Sequence, residues 1–156
     1  FNTKKIPELL EQLRDLCDYI IVDSAAGFGD EVIAVIKSAD EIIIVTNPEM
    51  PAVTDSLKSV KVAREMGKEI KGVIITRYAN AKYEMPLSSI RSMLESQIIG
   101  VVPEDKAVKE AINLRDAVVH THPRSKVSKK YDEIARKISG EKIEAKKGVL
   151  SRLFGL

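Results

Sequence analysis

The amino-acid sequence predicts an α/β fold in which helices flank a mostly parallel sheet. Short apolar runs of strand length alternate with amphipathic stretches of helix length along most of the 156 residues. This alternation is typical of strands joined by crossover helices, which place the strands in one parallel sheet covered on both faces. Two of the runs, at residues 19–22 and 42–45, are β-branched or aromatic throughout, as in strands buried on both sides.

The elements of the amino-terminal half follow from apolar periodicity and from the residues at their ends. Pro7 suits the first turn of a helix, and leucines recur behind it at helical spacing. The predicted order is a helix from Pro7 to Leu16, a strand Tyr19–Asp23, a helix from Gly29 or Asp30 to Ala39–Asp40, a strand Glu41–Thr46, and a helix from Pro51 that Gly67 closes.

The carboxyl-terminal half continues the same alternation. Its predicted elements are a strand Ile70–Thr76, a loop Arg77–Met85, a helix Pro86–Ser96, a strand Ile98–Val102, a helix Lys106–Ile112 and a helix Pro123–Ser139 that Gly140 stops. Ala117–Val119 is interpreted either as a short edge strand or as extended chain. The residues 1–140 are therefore expected to form one α/β domain.

Composition excludes several classes of protein. The net charge of +2 is too small to indicate nucleic-acid binding by itself, and 44% hydrophobic with 31% charged residues is typical of a globular chain. The single Cys17 excludes a disulfide framework and a metal site of paired cysteines within one chain, and it fits the cytoplasm. His120 and His122 have no further ligand beside them in sequence, so no direct metal site is expected.

Asp23 is the first candidate site residue, because it ends a predicted buried strand and small residues follow it. The carboxyl edge of a parallel sheet is where α/β proteins bind ligands. The small residues Ser24 to Gly27 would let the backbone approach a phosphate or a water. This geometry suits a carboxylate that holds a Mg²⁺-bound water in a nucleotide site. The alternative is that Asp23 only caps the next helix.

The last stretch, residues 141–156, differs from the rest of the chain. A charged linker precedes an amphipathic segment that suits a reversible membrane anchor, with basic residues at the headgroups and apolar residues in the acyl boundary. Its predicted membrane-contacting residues are Lys146, Lys147, Val149, Leu150, Arg152, Leu153 and Phe154. The alternative is a tail that folds back on its own domain.

Five stretches together resemble the MinD branch of the MinD/ParA family of deviant P-loop ATPases. They are Tyr19-Ile-Ile-Val-Asp-Ser-Ala-Ala-Gly27, Thr46-Asn-Pro-Glu49, Ile75-Thr-Arg-Tyr78, Gly100-Val-Val-Pro-Glu-Asp105 and Lys146-Lys-Gly-Val-Leu-Ser-Arg-Leu-Phe-Gly155. Each is weak alone, but their order and spacing match over nearly the whole chain. The resemblance implies a P-loop NTPase-like three-layer fold and a role in positioning the division machinery at the membrane.

The resemblance also implies roles for individual residues. Asp23 would hold the Mg²⁺ water shell and Gly27 would be the switch glycine; Thr76 and Arg77 would contact adenine; Pro103, Glu104 and Asp105 would close over the base; Asn47 and Glu49 would face a partner subunit. Many family members have Asn where this chain has Thr76. For Arg77 and Asp105 the alternative is ordinary surface charge.

The implied cofactors are ATP and Mg²⁺, and the implied partners are a second copy in an ATP-dependent homodimer, an anionic membrane surface, and a regulatory or cargo protein. The expected location is the cytoplasm, with peripheral attachment to the inner face of the cell membrane. Three alternatives stay open: a ParA-like DNA-partitioning ATPase, a metal-cluster scaffold, and a non-catalytic interaction module. Lone Cys17 disfavours the scaffold, and the acidic Asp132 and Glu133 interrupt the basic residues that DNA binding would use.

The sequence departs from the family in one respect. It contains no Gly-x-x-x-x-Gly-Lys-[Ser/Thr] run, which in the family follows a strand upstream of the Asp23 strand. The chain is therefore expected to correspond to the carboxyl-terminal portion of such a protein, to bind ATP poorly and to hydrolyse none. The strand that precedes the phosphate loop in the family lies beside the Asp23 strand, so an unpaired edge is expected there.

Overall fold

The computed structural model describes residues 5–24 and 29–141. The chain divides into two compact units, and the boundary lies between Glu104 and Asp105. The predicted division at residue 140 stays a prediction, because residues 142–156 lie outside the described part. Each unit is presented by itself below.

The first unit contains the sheet and the helices that cover it. Its elements are α1 (Ile6–Leu13), a 3₁₀ turn (Arg14–Leu16), α2 (Asp30–Ser38), β1 (Glu41–Thr46), α3 (Met50–Glu65), β2 (Glu69–Tyr78), α4 (Leu87–Leu94) and β3 (Ile98–Pro103). The second unit is helical in its described residues and consists of α5 (Lys106–Asn113), α6 (Val118–Thr121) and α7 (Lys126–Ser139).

The described strands form a parallel three-stranded sheet in the order β1-β2-β3. Thr46 at the end of β1 lies beside Ile75 of β2, and Tyr78 at the end of β2 lies beside Pro103 of β3. All three strands therefore end at one edge of the sheet. The predicted α/β class, with a parallel sheet flanked by helices, is confirmed.

The core of this unit lies between the sheet and the two helices α3 and α4. Its buried members are Ile44, Val53, Val60, Val73, Ile75, Ile90 and Leu94. Val53 and Val60 recur at seven residues, or about two helical turns, along α3, so both lie on the face of α3 turned to the sheet. Burying side chains of this size stabilises the fold by about 1.5–3 kcal/mol each before ordering costs. This packing fixes the ends of the strands on which the candidate site is built.

The predicted strand Tyr19–Asp23 is the largest correction. Residues 19–24 belong to no strand of the sheet, and Ile21 is 92% exposed, so the expected burial on both sides is wrong. Branched and aromatic residues favour an extended backbone, but a strand also needs a neighbouring edge that accepts its hydrogen bonds. Val45 on β1 is also exposed, at 61%. Because residues 19–23 form no strand, the unpaired edge expected beside them stays a prediction.

Smaller corrections concern element ends. The edge strand expected at Ala117–Val119 is wrong, because Val118 and Val119 belong to α6; only Ala117, the N-cap, is extended. The last helix begins at Lys126 instead of Pro123, because the Ser125 side chain accepts the Ser128 amide as an N-cap. The strand β2 continues through Arg77 and Tyr78, which shortens the predicted loop.

Candidate functional site

The candidate site is the edge of the sheet where β1, β2 and β3 end. Polar residues stand at the end of each strand. Thr46 is the last residue of β1 and Asn47 follows it, Thr76 and Arg77 lie near the end of β2, and Glu104 directly follows β3. Ligands of open parallel sheets bind outside the carboxyl ends of the strands. The parallel register thus brings together residues from three of the sequence stretches that carried the resemblance.

Thr76 ties the end of β2 to the end of β1. The Thr76 hydroxyl donates to the backbone carbonyl of Thr46 over 3.2 Å. The Thr76 side chain is partly buried. The neighbouring Asn47 Oδ1 is buried and has no hydrogen-bond partner among the described residues. A buried acceptor without a donor is costly, so this position is suited to a donor supplied from outside the described chain.

Arg77 has a backbone conformation that a non-glycine residue seldom adopts. Its φ is +56°, in the left-handed region, which costs on the order of 1 kcal/mol or more. The side chain is 68% exposed, and its Nε lies 3.5 Å from Oε2 of Glu104. The Glu104 amide in turn donates to the Tyr78 carbonyl over 3.0 Å. The structure therefore brings Thr76, Arg77 and Glu104 to one edge, and Pro103 pairs with Tyr78 beside them.

The loop after β2 is held by hydrogen bonds that sequence reasoning missed. The Glu84 carboxylate accepts the backbone amides of Ala79 and Ala81 over 2.8 and 2.9 Å. The Tyr78 hydroxyl donates to Asn80 Oδ1 over 2.8 Å. Both Glu84 bonds span five residues or fewer, so the usable signal was a carboxylate placed within the predicted loop.

Asp105 caps the first helix of the second unit. Its Oδ1 accepts the Ala107 amide over 2.9 Å, which satisfies one of the unpaired donors at the start of α5. This bond gives Asp105 a structural role by itself. Its expected role in closing over a base stays a prediction, as do the roles of the other site residues.

Asp23 is exposed and follows residues 19–22, which belong to no strand of the described sheet, while Gly27 lies outside the described residues. A lone carboxylate suits an outer-shell ligand of Mg²⁺, which keeps several of its waters. Among the described residues no group of three or more His, Cys, Asp or Glu side chains could hold a metal ion directly. The expected role of Asp23 toward metal-bound water stays a prediction.

The residues expected at a dimer face stand at the start of α3. Glu49 is exposed at the N-cap position and makes no side-chain capping bond. Asn47 precedes it, and the Pro48 between them is buried, with its carbonyl accepting the Met85 amide over 2.9 Å. The buried Pro48 therefore holds the segment 47–49 in place, and the polar Asn47 and Glu49 lie on either side of it.

The basic residues of α7 are largely paired within the helix. Lys130 and Lys137 contact Glu133, and Arg136 contacts Asp132 and Glu141. The hydrogen bond from Lys130 holds the pKa of Glu133 below its ordinary value, while burial raises the pKa of Tyr131. This arrangement is typical of a solvated helix face with internal ion pairs.

The predicted membrane-contacting residues, from Lys146 to Phe154, lie outside the described residues. Among the helices that the structure does describe, none has the length and apolar character to cross a bilayer.

The chain is similar to known proteins in both sequence and structure. The family model described as ParA, NUBPL iron-transfer P-loop NTPase, matches residues 2–139. An uncharacterised ATP-binding protein of Methanocaldococcus jannaschii is 37% identical over 142 residues, which cover 91% of this chain and 54% of the relative. The septum site-determining protein MinD of Neisseria meningitidis is 34% identical over 155 residues, which cover 88% of this chain and 57% of the relative.

Solved structures show the same likeness. The cell division ATPase MinD of Pyrococcus furiosus superposes with a TM-score of 0.83 at 29% identity, covering 89% of this chain and 59% of the other. MinD of Pyrococcus horikoshii, solved with Mg-ADP, superposes with a TM-score of 0.82 at 28% identity, and the match covers 88% of this chain and 56% of the other. The chain spans about half the length of the curated relatives that it matches.

Proposed function

The chain belongs to the MinD/ParA family of P-loop NTPases, and on that premise we propose that it supplies the base-binding edge and the membrane contact of a MinD-like ATPase. Such an ATPase would position the cell division machinery, as the names of its relatives indicate. ATP and Mg²⁺ are the proposed ligands, and a second copy of the chain is the proposed partner.

The observation that carries the proposal is the meeting of Thr76, Arg77 and Glu104 at the carboxyl edge of the sheet. A purine base offers a flat face and a polar rim. The Arg77 guanidinium is planar, exposed and suited to stacking on an aromatic face. The Glu104 carboxylate, which lies 3.5 Å from it, limits the orientations that the guanidinium can take.

Thr76 serves the same site by fixing the backbone. Because its hydroxyl bonds the Thr46 carbonyl, the ends of β1 and β2 hold a constant spacing. Asp23 would act through Mg²⁺-bound water when the metal and nucleotide are present. The sequence holds no glycine-rich phosphate loop, so the isolated chain is expected to bind a nucleotide through its base alone. The expected Kd is in the millimolar range, which corresponds to a binding free energy of about −4 kcal/mol.

A nucleotide titration followed by NMR tests this edge. Adenosine monophosphate is expected to shift the backbone signals of residues 76–78 and 103–104, and Arg77→Ala should weaken the response several-fold. Arg91→Ala, which changes another arginine on the exposed side of α4, is the matched control and should leave the response unchanged. Shifts confined to other regions, or an unchanged response in Arg77→Ala, would contradict the proposed base site.

Membrane contact through the amphipathic tail is the second part of the proposal. Four apolar side chains, Val149, Leu150, Leu153 and Phe154, would contribute at most about 6 kcal/mol before ordering costs, so one copy should bind weakly and two linked copies far better. Co-sedimentation with vesicles containing about 30% anionic lipid should therefore be lost on removal of residues 148–156.

Two substitutions refine the vesicle experiment. Phe154→Glu should abolish binding by placing a charge in the apolar face, whereas Glu144→Ala, in the charged linker, should leave binding unchanged or strengthen it. Binding that survives both the deletion and Phe154→Glu would refute the anchor. The ion pairs of α7 disfavour the DNA-binding alternative, and Cys17 as the single cysteine of the sequence disfavours the cluster scaffold.

A further inference from the structure

The loop after β2 presents an exposed tyrosine on a fixed backbone. Tyr83 is 86% exposed, although the residues around it are held in place. The Glu84 carboxylate accepts the amides of Ala79 and Ala81, and the Glu84 amide donates to the Ala81 carbonyl over 3.0 Å. A side chain on a fixed loop loses little conformational entropy on binding, and tyrosine is among the residues that contribute most to protein interfaces. The loop is therefore suited to contact another protein chain.

This loop adjoins the start of α3, which exposes a second large apolar side chain. The Met85 amide donates to the Pro48 carbonyl over 2.9 Å and so joins the two segments. Met50, the first residue of α3, is 57% exposed. Tyr83 and Met50 are each two residues away from this hydrogen bond, so their Cα atoms are separated by at most roughly 22 Å. Both side chains therefore lie within the area of one ordinary interface.

The neighbours of these two residues carry one charge of each sign. Lys82 precedes Tyr83, Glu49 precedes Met50, and both charged side chains are exposed. No ion pair of Lys82 or Glu49 is found among the described residues. We call Glu49, Met50, Lys82 and Tyr83 the edge patch. Such a patch is complementary to itself, because a twofold axis can set the cation of each copy opposite the anion of the other.

We propose that the edge patch is an isologous contact between two copies of this chain, in which Lys82 of each copy pairs with Glu49 of the other. Tyr83 and Met50 of both copies pack around the twofold axis, and the two ion pairs flank them. The inference rests on the proposed function, which names a second copy as partner, and adds the residues that hold the copies together.

The size of the edge patch sets the strength of this contact. Four side chains cover less than the area of about 800 Å² per partner that a stable interface of standard size buries. The contact is therefore weak by itself, with a dissociation constant on the order of 1 mM.

NMR spectra of the full chain over a range of concentrations, without nucleotide or lipid, test the contact. Between about 0.05 and 2 mM, the backbone amide signals of residues 49, 50, 82 and 83 should shift with one common dissociation constant. Because nucleotide and vesicles are absent, failure here is distinguishable from failure of the adenosine monophosphate titration or of vesicle binding. Signals that stay constant over this range, or shifts confined to the exposed apolar residues 19–22 and 45, would overturn the proposal.

Charge reversal distinguishes this pairing from any other association of the chain. Lys82→Glu or Glu49→Lys alone sets like charges opposite each other at both ion pairs and should raise the dissociation constant about tenfold. The double variant restores opposite charges and should return the constant to within about threefold of its original value. Lys61→Glu, which reverses another exposed lysine on α3, is the matched control and should leave the constant unchanged. A double variant as weak as the single ones, or an equal loss in Lys61→Glu, contradicts the pairing.

Discussion

Gly72 on β2 gives the most quantitative prediction for the sheet that supports the candidate site. A Cβ atom at this position would lie 2.3 Å from Cγ2 of Ile99 and 3.1 Å from the carbonyl oxygen of Gln97. That carbonyl accepts the Val73 amide over 2.8 Å, so β3 cannot move away without weakening a bond of the sheet. Overpacking together with one weakened hydrogen bond predicts that Gly72→Ala lowers the free energy of unfolding by about 2–4 kcal/mol.

Urea unfolding followed by far-ultraviolet circular dichroism measures this loss as a lower midpoint at unchanged slope. Gly29→Ala is the comparison, because a Cβ there meets no described atom within 4 Å and φ is already −66°. Its free energy of unfolding should fall by about 1 kcal/mol or less, since Ala is a poorer N-cap than Gly. A Gly72→Ala chain as stable as Gly29→Ala would refute the close approach of β2 and β3 on which the site's register depends.

Three further changes test other contacts. Arg64→Ala removes bonds of 2.8 and 2.7 Å to the side chain and carbonyl of Glu95 and should cost about 1 kcal/mol, measured by urea unfolding. Gly140→Ala, at φ +75°, should cost about 1 kcal/mol in the same assay. The hydrogen bond from His120 lowers the pKa of Asp116 below its ordinary 3.8. The ionised carboxylate therefore stabilises the fold above pH 3.8, and this stabilisation is lost as the pH falls through the lowered pKa. Asp116→Asn should therefore lower the urea midpoint at pH 7 but not at pH 2; an equal loss at both would contradict the assignment.

Parts of the fold were predictable where local patterns and tertiary demands agree. The strand Glu41–Thr46 has the predicted bounds, and α2 begins at Asp30, because a run of β-branched residues and an amphipathic stretch admit few alternatives. Gly67 and Gly140 end helices with positive φ as expected. The same agreement placed Thr76 and Glu104 at one edge of the sheet, since parallel strands end together.

Other parts depend on partners that a linear pattern does not specify. The residues Tyr19–Asp23 have strand composition, but pairing requires an available edge, so composition alone gave the wrong burial. The left-handed backbone of Arg77 arises from how the strand ends meet, as does the position of Asn47 Oδ1, which has no partner in the part of the chain that the structure describes. The Glu84 bonds that fix the loop after β2 are local, spanning five and three residues, and they were missed because the predicted loop was not examined for a carboxylate that could accept its own amides.

The most direct test of the proposed base site is photoaffinity labelling with 8-azido-adenosine triphosphate, followed by peptide mapping of the modified chain. The account predicts labelled peptides that contain residues 76–78 or 103–104, and labelling that excess adenosine monophosphate suppresses. Labelling that maps instead to residues 88–97, on α4 and the turn after it, would contradict a base site at the carboxyl edge of the sheet. Labelling that adenosine monophosphate does not suppress would contradict it as well.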